Sequence, residues 1–166
     1  YSNVIEAVQG ALVREGFSTL RFNFRGVEGS EGSYSDGTGE EEDVRGVVEF
    51  VITQADLPLF LVGYSFGAAV GARAVVTDDR VRALICISPP IEMYDFSFLR
   101  DDSRPKLFLA GDRDVICPAQ PLQEFVATLP QPRSLRIFPD VDHFWWGMEE
   151  RLADSVVDFL HGLERG

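Results

Sequence analysis

Cysteine and histidine are both scarce in this 166-residue chain, which has two of each. Two cysteines, Cys86 and Cys117, cannot build the disulfide framework of a small secreted domain, and their scarcity points to a reducing compartment. Cys86 lies inside an apolar run and reads as core. Cys117 follows a candidate catalytic loop, where packing is favoured over a redox role. Two imidazoles, His143 and His161, fall short of a multi-histidine zinc site, so neither metal nor cofactor is expected. Long apolar stretches are missing as well: no window approaches the ~20 residues of a membrane span. Basic charge is also in short supply. Fifteen Lys and Arg face 27 Asp and Glu, for a net charge of −12, which removes the basic stripe that nucleic acid or an anionic membrane requires. The expectation is one cytoplasmic globular domain, 1–166, with no nucleic-acid or membrane partner.

Seven of the acids fall between Glu28 and Asp43. They do not alternate as calcium-loop ligands do, and they read as a solvated loop running into a helix start. Asn3 with Glu6 three residues on has the form of a capping box, and Val4, Ile5, Val8, Ala11 and Leu12 share a helical face that Gly16 closes. Leu20, Phe22 and Phe24 recur at period two and predict a strand over 17–24. From 27 to 39 the chain is Gly, Ser and acid, a loop in which Ser30 is an ordinary loop residue; Arg25, just before it, could face the site or hold the acidic loop by an ion pair, the structural role being favoured. Helical spacing resumes over 40–54. An apolar run at 59–62 then begins an alternation: helix 66–76, strand 83–88, strand 107–110, helix 121–129, strand 135–138 and helix 149–163. Strands separated by helices imply a parallel, mostly buried sheet.

Between the first apolar run and the alanine-rich helix stands Gly63-Tyr64-Ser65-Phe66-Gly67. A shuffled chain of this composition would show G-x-S-x-G roughly one time in eleven, so the motif is read by its setting. Parallel strands deliver their C-terminal ends to one rim, and the loops there carry Ser65, then Asp112 and Asp114, then His143. A serine hydroxyl needs a base to take its proton and a third group to orient that base. His143 fits the base, with His161 on the last helix as rival, and Asp114 fits the orienting carboxylate, with Asp112 as rival. Glycines two before and two after the serine suit a sharp strand-to-helix turn, and the Ser, Asp, His order is that of α/β-hydrolases.

In LRFNFRGVEGSEG (20–32), GYSFG (63–67), YDFSFL (94–99), GDRDVICP (111–118) and PDVDHF (139–144), the chain resembles small lidless α/β-hydrolases of the dienelactone-hydrolase-like bacterial group. The resemblance implies a mostly parallel sheet flanked by helices with no cap domain, and a start that lacks the family's N-terminal strands. It also implies a serine hydrolase, cleaving a carboxylic ester or thioester through an acyl-enzyme. Ser65 stands where dienelactone hydrolases proper have cysteine, which favours an esterase. The family's acid-loop pattern selects Gly111, Asp114 and Pro118, and so prefers Asp114. The backbone N–H of Phe66 is one oxyanion donor; the other belongs to the loop before the first helix, for which only Tyr1 and Ser2 stand here. Tyr64, Tyr94, Phe96 and Trp145, with Phe98 and Trp146, are candidates to line an apolar substrate pocket, with aromatic core packing an equal alternative. Expected partners are a small-molecule ester-type substrate and, at most, a second copy of the chain.

Overall fold

The structure, a computed structural model, describes residues 2–21 and 38–165. Among the described residues four strands form a sheet in the order β1 (Leu59–Tyr64), β2 (Val81–Ile87), β3 (Lys106–Gly111) and β4 (Arg133–Phe138), every neighbouring pair parallel. Parallel strands need crossovers, which here are α3 (Phe66–Ala74) after β1 and α4 (Ala119–Val126) after β3. β2 returns to β3 through a loop holding a short 3₁₀ turn, Ser97–Asp101.

Side chains alternate across the sheet and supply two cores. Leu84, Cys86, Phe108 and Ala110 face α2 (Thr38–Gln54), α3 and α4. Ile85, Ile87, Leu107 and Leu109 face α1 (Asn3–Arg14) and α5 (Glu149–Arg165). β2 beyond Arg82 and β3 beyond Lys106 are thus buried on both faces, as their apolar runs ALICI and LFLAG require. At the start of β3 the fully buried Lys106 ion-pairs with Asp102 at 3.3 Å, and its Nζ donates to the carbonyls of Asp102 and Arg104. Burial pulls its ammonium below the ordinary lysine value, against the opposing pull of Asp102.

The expected elements form with edges shifted by a few residues, with two corrections. The first helix is capped by Ser2, not Asn3: Ser2 Oγ accepts from the N–H of Ile5 at 3.3 Å. Asn3 is the first helical residue, and its Nδ2 instead donates to the Phe144 carbonyl and to Glu149. The strand expected over 17–24 does not form in its described part, 17–21. Those residues are bonded elsewhere: Phe17 N–H closes the end of α1 on Leu12, its ring stacks on His161, and Thr19 accepts from Gln9. The rest of that strand, Arg25, Ser30 and Tyr1 lie outside the described residues.

Candidate active site

The turn from β1 into α3 places Ser65. Its φ of +55° lies in the region L-residues avoid, and its N–H is tied to the Ile87 carbonyl at 2.9 Å. The turn is tight enough that a Cβ on Gly63 would lie 2.6 Å from Ala68 Cα, which only glycine avoids. Ser65 therefore stands over the C-terminal rim of the sheet, beside the ends of β2 and β3.

The loops after β3 and β4 are fastened together before either presents a side chain. Arg113 N–H donates to the Val141 carbonyl at 2.9 Å, and Asp140 N–H to Asp112 Oδ1 at 2.8 Å. Gly111 makes this approach possible, because a Cβ there would sit 2.0 Å from the Val141 oxygen. Asp112 is thus a tie between loops, and Asp114 is the acid that meets the imidazole.

Ser65 Oγ lies 2.8 Å from His143 Nε2, and His143 Nδ1 lies 2.9 and 3.0 Å from the two oxygens of Asp114. Histidine and aspartate are both buried. Burial alone would raise the Asp114 carboxyl; the bond to His143 and the N–H donors of Cys117 and Ile116 outweigh it and hold the group below its ordinary value. An ionised carboxylate only accepts, so Nδ1 carries the proton and Nε2 offers its lone pair to the serine hydroxyl. His161, about three turns into α5, stacks on Phe17 instead.

The aromatic candidates separate. Phe96 and Trp145 are buried in the two cores, and the Trp145 indole N–H donates to Ser88 Oγ at 2.9 Å. They do not reach the rim surface: Phe96 packs against Phe98 and Phe125, and the left-handed backbone at Trp145, φ +61°, turns that indole inward. Its neighbours turn outward: Phe144 is 51% and Trp146 69% exposed, with the Phe144 ring edge-on to the imidazole at 5.5 Å. Met93 and Val115 are exposed on the same rim, and Tyr94 packs on Phe66 with ring centroids 5.7 Å apart. The Tyr64 hydroxyl is taken up by the His143 carbonyl at 2.7 Å. Sequence reasoning left Phe144 unnamed as a rim residue, because three consecutive aromatics carry no local signal of which ones face solvent. Ser2 lies at the α1 terminus, where Asn3 touches the backbone of Phe144. Among the described residues no cluster of three or more His, Cys, Asp or Glu could hold a metal ion, and no helix is long and apolar enough to cross a membrane.

Fold and site define an α/β-hydrolase. A family model described as serine aminopeptidase, S33, matches residues 1–101. A solved α/β serine hydrolase without lid from Xanthomonas campestris is 36% identical, with a TM-score of 0.87 over 99% of this chain and 74% of that one. An α/β serine hydrolase homologue from Coxiella burnetii is 32% identical, with a TM-score of 0.88 over 95% of this chain and 76% of its own. An uncharacterized protein of Rickettsia prowazekii is 33% identical across 90% of this chain and 67% of its own. The chain belongs to this serine aminopeptidase S33 family of α/β serine hydrolases.

Proposed function

We propose that the chain is a metal-independent serine hydrolase that cleaves a carboxylic ester or thioester through an acyl-enzyme, with Ser65 as nucleophile, His143 as base and Asp114 as orienting acid. The observation that carries this reading is the continuous hydrogen-bonded relay from Ser65 Oγ through both nitrogens of His143 to Asp114. Ser65 Oγ bonds to the acyl carbon as its proton passes to Nε2. The Phe66 N–H, at the first residue of α3, is the proposed donor to the developing oxyanion. Nε2 then hands the proton to the departing alcohol or thiol. Water then bonds to the acyl carbon as its proton passes to Nε2, and Nε2 returns a proton to Ser65 Oγ as the acyl–Oγ bond breaks and the acid leaves.

A fluorophosphonate is expected to label the protein stoichiometrically and to leave Ser65→Ala unlabelled. Label persisting in Ser65→Ala would sink the proposal, and no label on either protein would favour a non-catalytic scaffold of the same fold.

The acyl or alcohol group is apolar on this reading, because Phe144, Trp146, Met93 and Val115 present uncovered apolar surface on the Ser65 rim. Full burial of one such side chain stabilises by about 1.5–3 kcal/mol. Trp146→Ala is therefore expected to raise KM for an octanoyl ester about tenfold, with an acetyl ester changed less than twofold; equal effects on both would remove the indole from the pocket. A second reading, hydrolysis at a peptide N-terminus, is favoured by the description of the matching family model. Relative kcat/KM on an aminoacyl p-nitroanilide and a p-nitrophenyl ester separates the two.

A further inference from the structure

His143 can serve two partners only while its backbone stays put, since the imidazole spans 2.8 Å to Ser65 on one side and 2.9 Å to Asp114 on the other. The loop that carries it has no regular structure between β4 and the first turn of α5. What holds residue 143 itself is the tyrosine before the nucleophile. Tyr64 ends β1, paired with Ile87 of β2, so its backbone is part of the sheet. Its hydroxyl donates to the His143 carbonyl at 2.7 Å, and its ring stacks on the imidazole with centroids 5.5 Å apart and planes inclined by 29°.

These contacts close a ring. It runs from Ser65 along one peptide bond to Tyr64, through the phenol to the His143 carbonyl, and from the imidazole back to Ser65 Oγ. Two residues further on, buried Trp145 donates to Ser88 Oγ at 2.9 Å, which secures the loop to the end of β2. The Trp145 clamp fixes the loop, whereas the Tyr64 clamp fixes the residue that moves the proton. Burial first, then the carboxylates of Asp114 and Asp142, push the phenol up to about 12. It keeps its proton at neutral and mildly alkaline pH and stays a donor there.

On the serine-hydrolase reading above, we propose that Tyr64 is a positioning residue: its hydroxyl holds the His143 carbonyl so that the imidazole exchanges a proton with Ser65 without leaving Asp114. Small misplacements of reacting groups are costly, on the order of a hundredfold per ångström. The bond is lost cleanly in Tyr64→Phe, which keeps the stacked ring.

Tyr64→Phe is expected to lower kcat on a p-nitrophenyl ester about tenfold, with KM within twofold and the melting temperature within a few degrees. The low-field NMR resonance of the His143 Nδ1 proton should broaden in parallel. p-Aminophenylalanine at 64 restores an N–H donor and should recover most of the rate; p-fluorophenylalanine, which keeps the shape without a donor, should not, and it repeats the test if Tyr64→Phe fails to fold. A kcat within twofold of wild type in the donorless variants, or a loss carried by KM, overturns the proposal. Ser65→Ala run alongside separates the two ideas. If it is inactive while Tyr64→Phe is unimpaired, the positioning role alone fails; if it turns over normally, the hydrolase reading fails and takes the positioning role with it.

Discussion

Asp114→Asn is expected to lower turnover about 10³–10⁴-fold while leaving the fold intact. One carboxylate oxygen, Oδ1, already accepts from two backbone N–H groups, those of Ile116 at 2.9 Å and Cys117 at 2.7 Å. An asparagine must keep its carbonyl oxygen there, because turning the amide would set an NH₂ against two donors. Its nitrogen therefore replaces Oδ2, 2.9 Å from His143 Nδ1. The retained oxygen, 3.0 Å from Nδ1, is already filled by those two donors, so Nδ1 accepts from the amide, the ring proton moves to Nε2, and the lone pair that would take the Ser65 proton is gone. Labelling kinetics and thermal melting together check this outcome: activity within about tenfold of wild type would show that the tautomer is not set by Asp114. The ionised carboxylate also stabilises the fold. Its folded value lies below the ordinary one, so the contribution is present above about pH 4 and disappears as pH falls through the folded value.

Gly111→Ala is expected to destabilise by about 3 kcal/mol, the upper part of the range for overpacking a well-filled site. A chain of this size would then melt roughly 6–12 °C lower. The added methyl would lie 2.0 Å from the Val141 oxygen and 2.5 Å from its carbon, and backbone cannot swing aside as a side-chain tip can. Relief requires the loop after β4 to move outward, weakening the Arg113–Val141 and Asp140–Asp112 bonds and carrying His143, two residues beyond Val141, away from Ser65. Activity should fall about a hundredfold even at temperatures where the variant is folded. Gly162→Ala is the matched control: nothing lies within 4 Å of a Cβ there, and alanine in α5 should stabilise by about 0.5–1 kcal/mol. Equal effects at the two sites would refute the steric account.

The parallel alternation and the serine turn were legible because they rest on local chemistry. Buried strands write themselves as apolar runs such as LFLA, and a turn as tight as that at Ser65 demands Gly63 in the sequence itself. The chain order of Ser65, Asp114 and His143 then needed only the rule that parallel strands share a rim. What stayed hidden was decided by partners distant in sequence. Trp145 and Trp146 are chemically identical neighbours, and which one faces solvent depends on Ser88, 57 residues away, and on the left-handed backbone at 145. Tyr64 looked like a pocket residue from its place beside the nucleophile, yet its hydroxyl is bonded to a carbonyl 79 residues on. Asn3 lost the capping role to Ser2 because Phe144 and Glu149 bind its amide, a contact no local pattern encodes.

The buried position of Lys106 has a practical side. It is the only lysine in the sequence. Both thiols are shut away as well: burial pushes Cys86 up to about 12 and Cys117 higher still. Within this sequence neither the side-chain amine nor a thiol is therefore presented to succinimidyl esters or maleimides, which leaves an uncluttered background for thiol chemistry. One cysteine installed at the exposed Val115, on the rim that carries Ser65, would be the single side chain such a maleimide meets. A fluorophore there could watch ligands arrive with no native residue removed first.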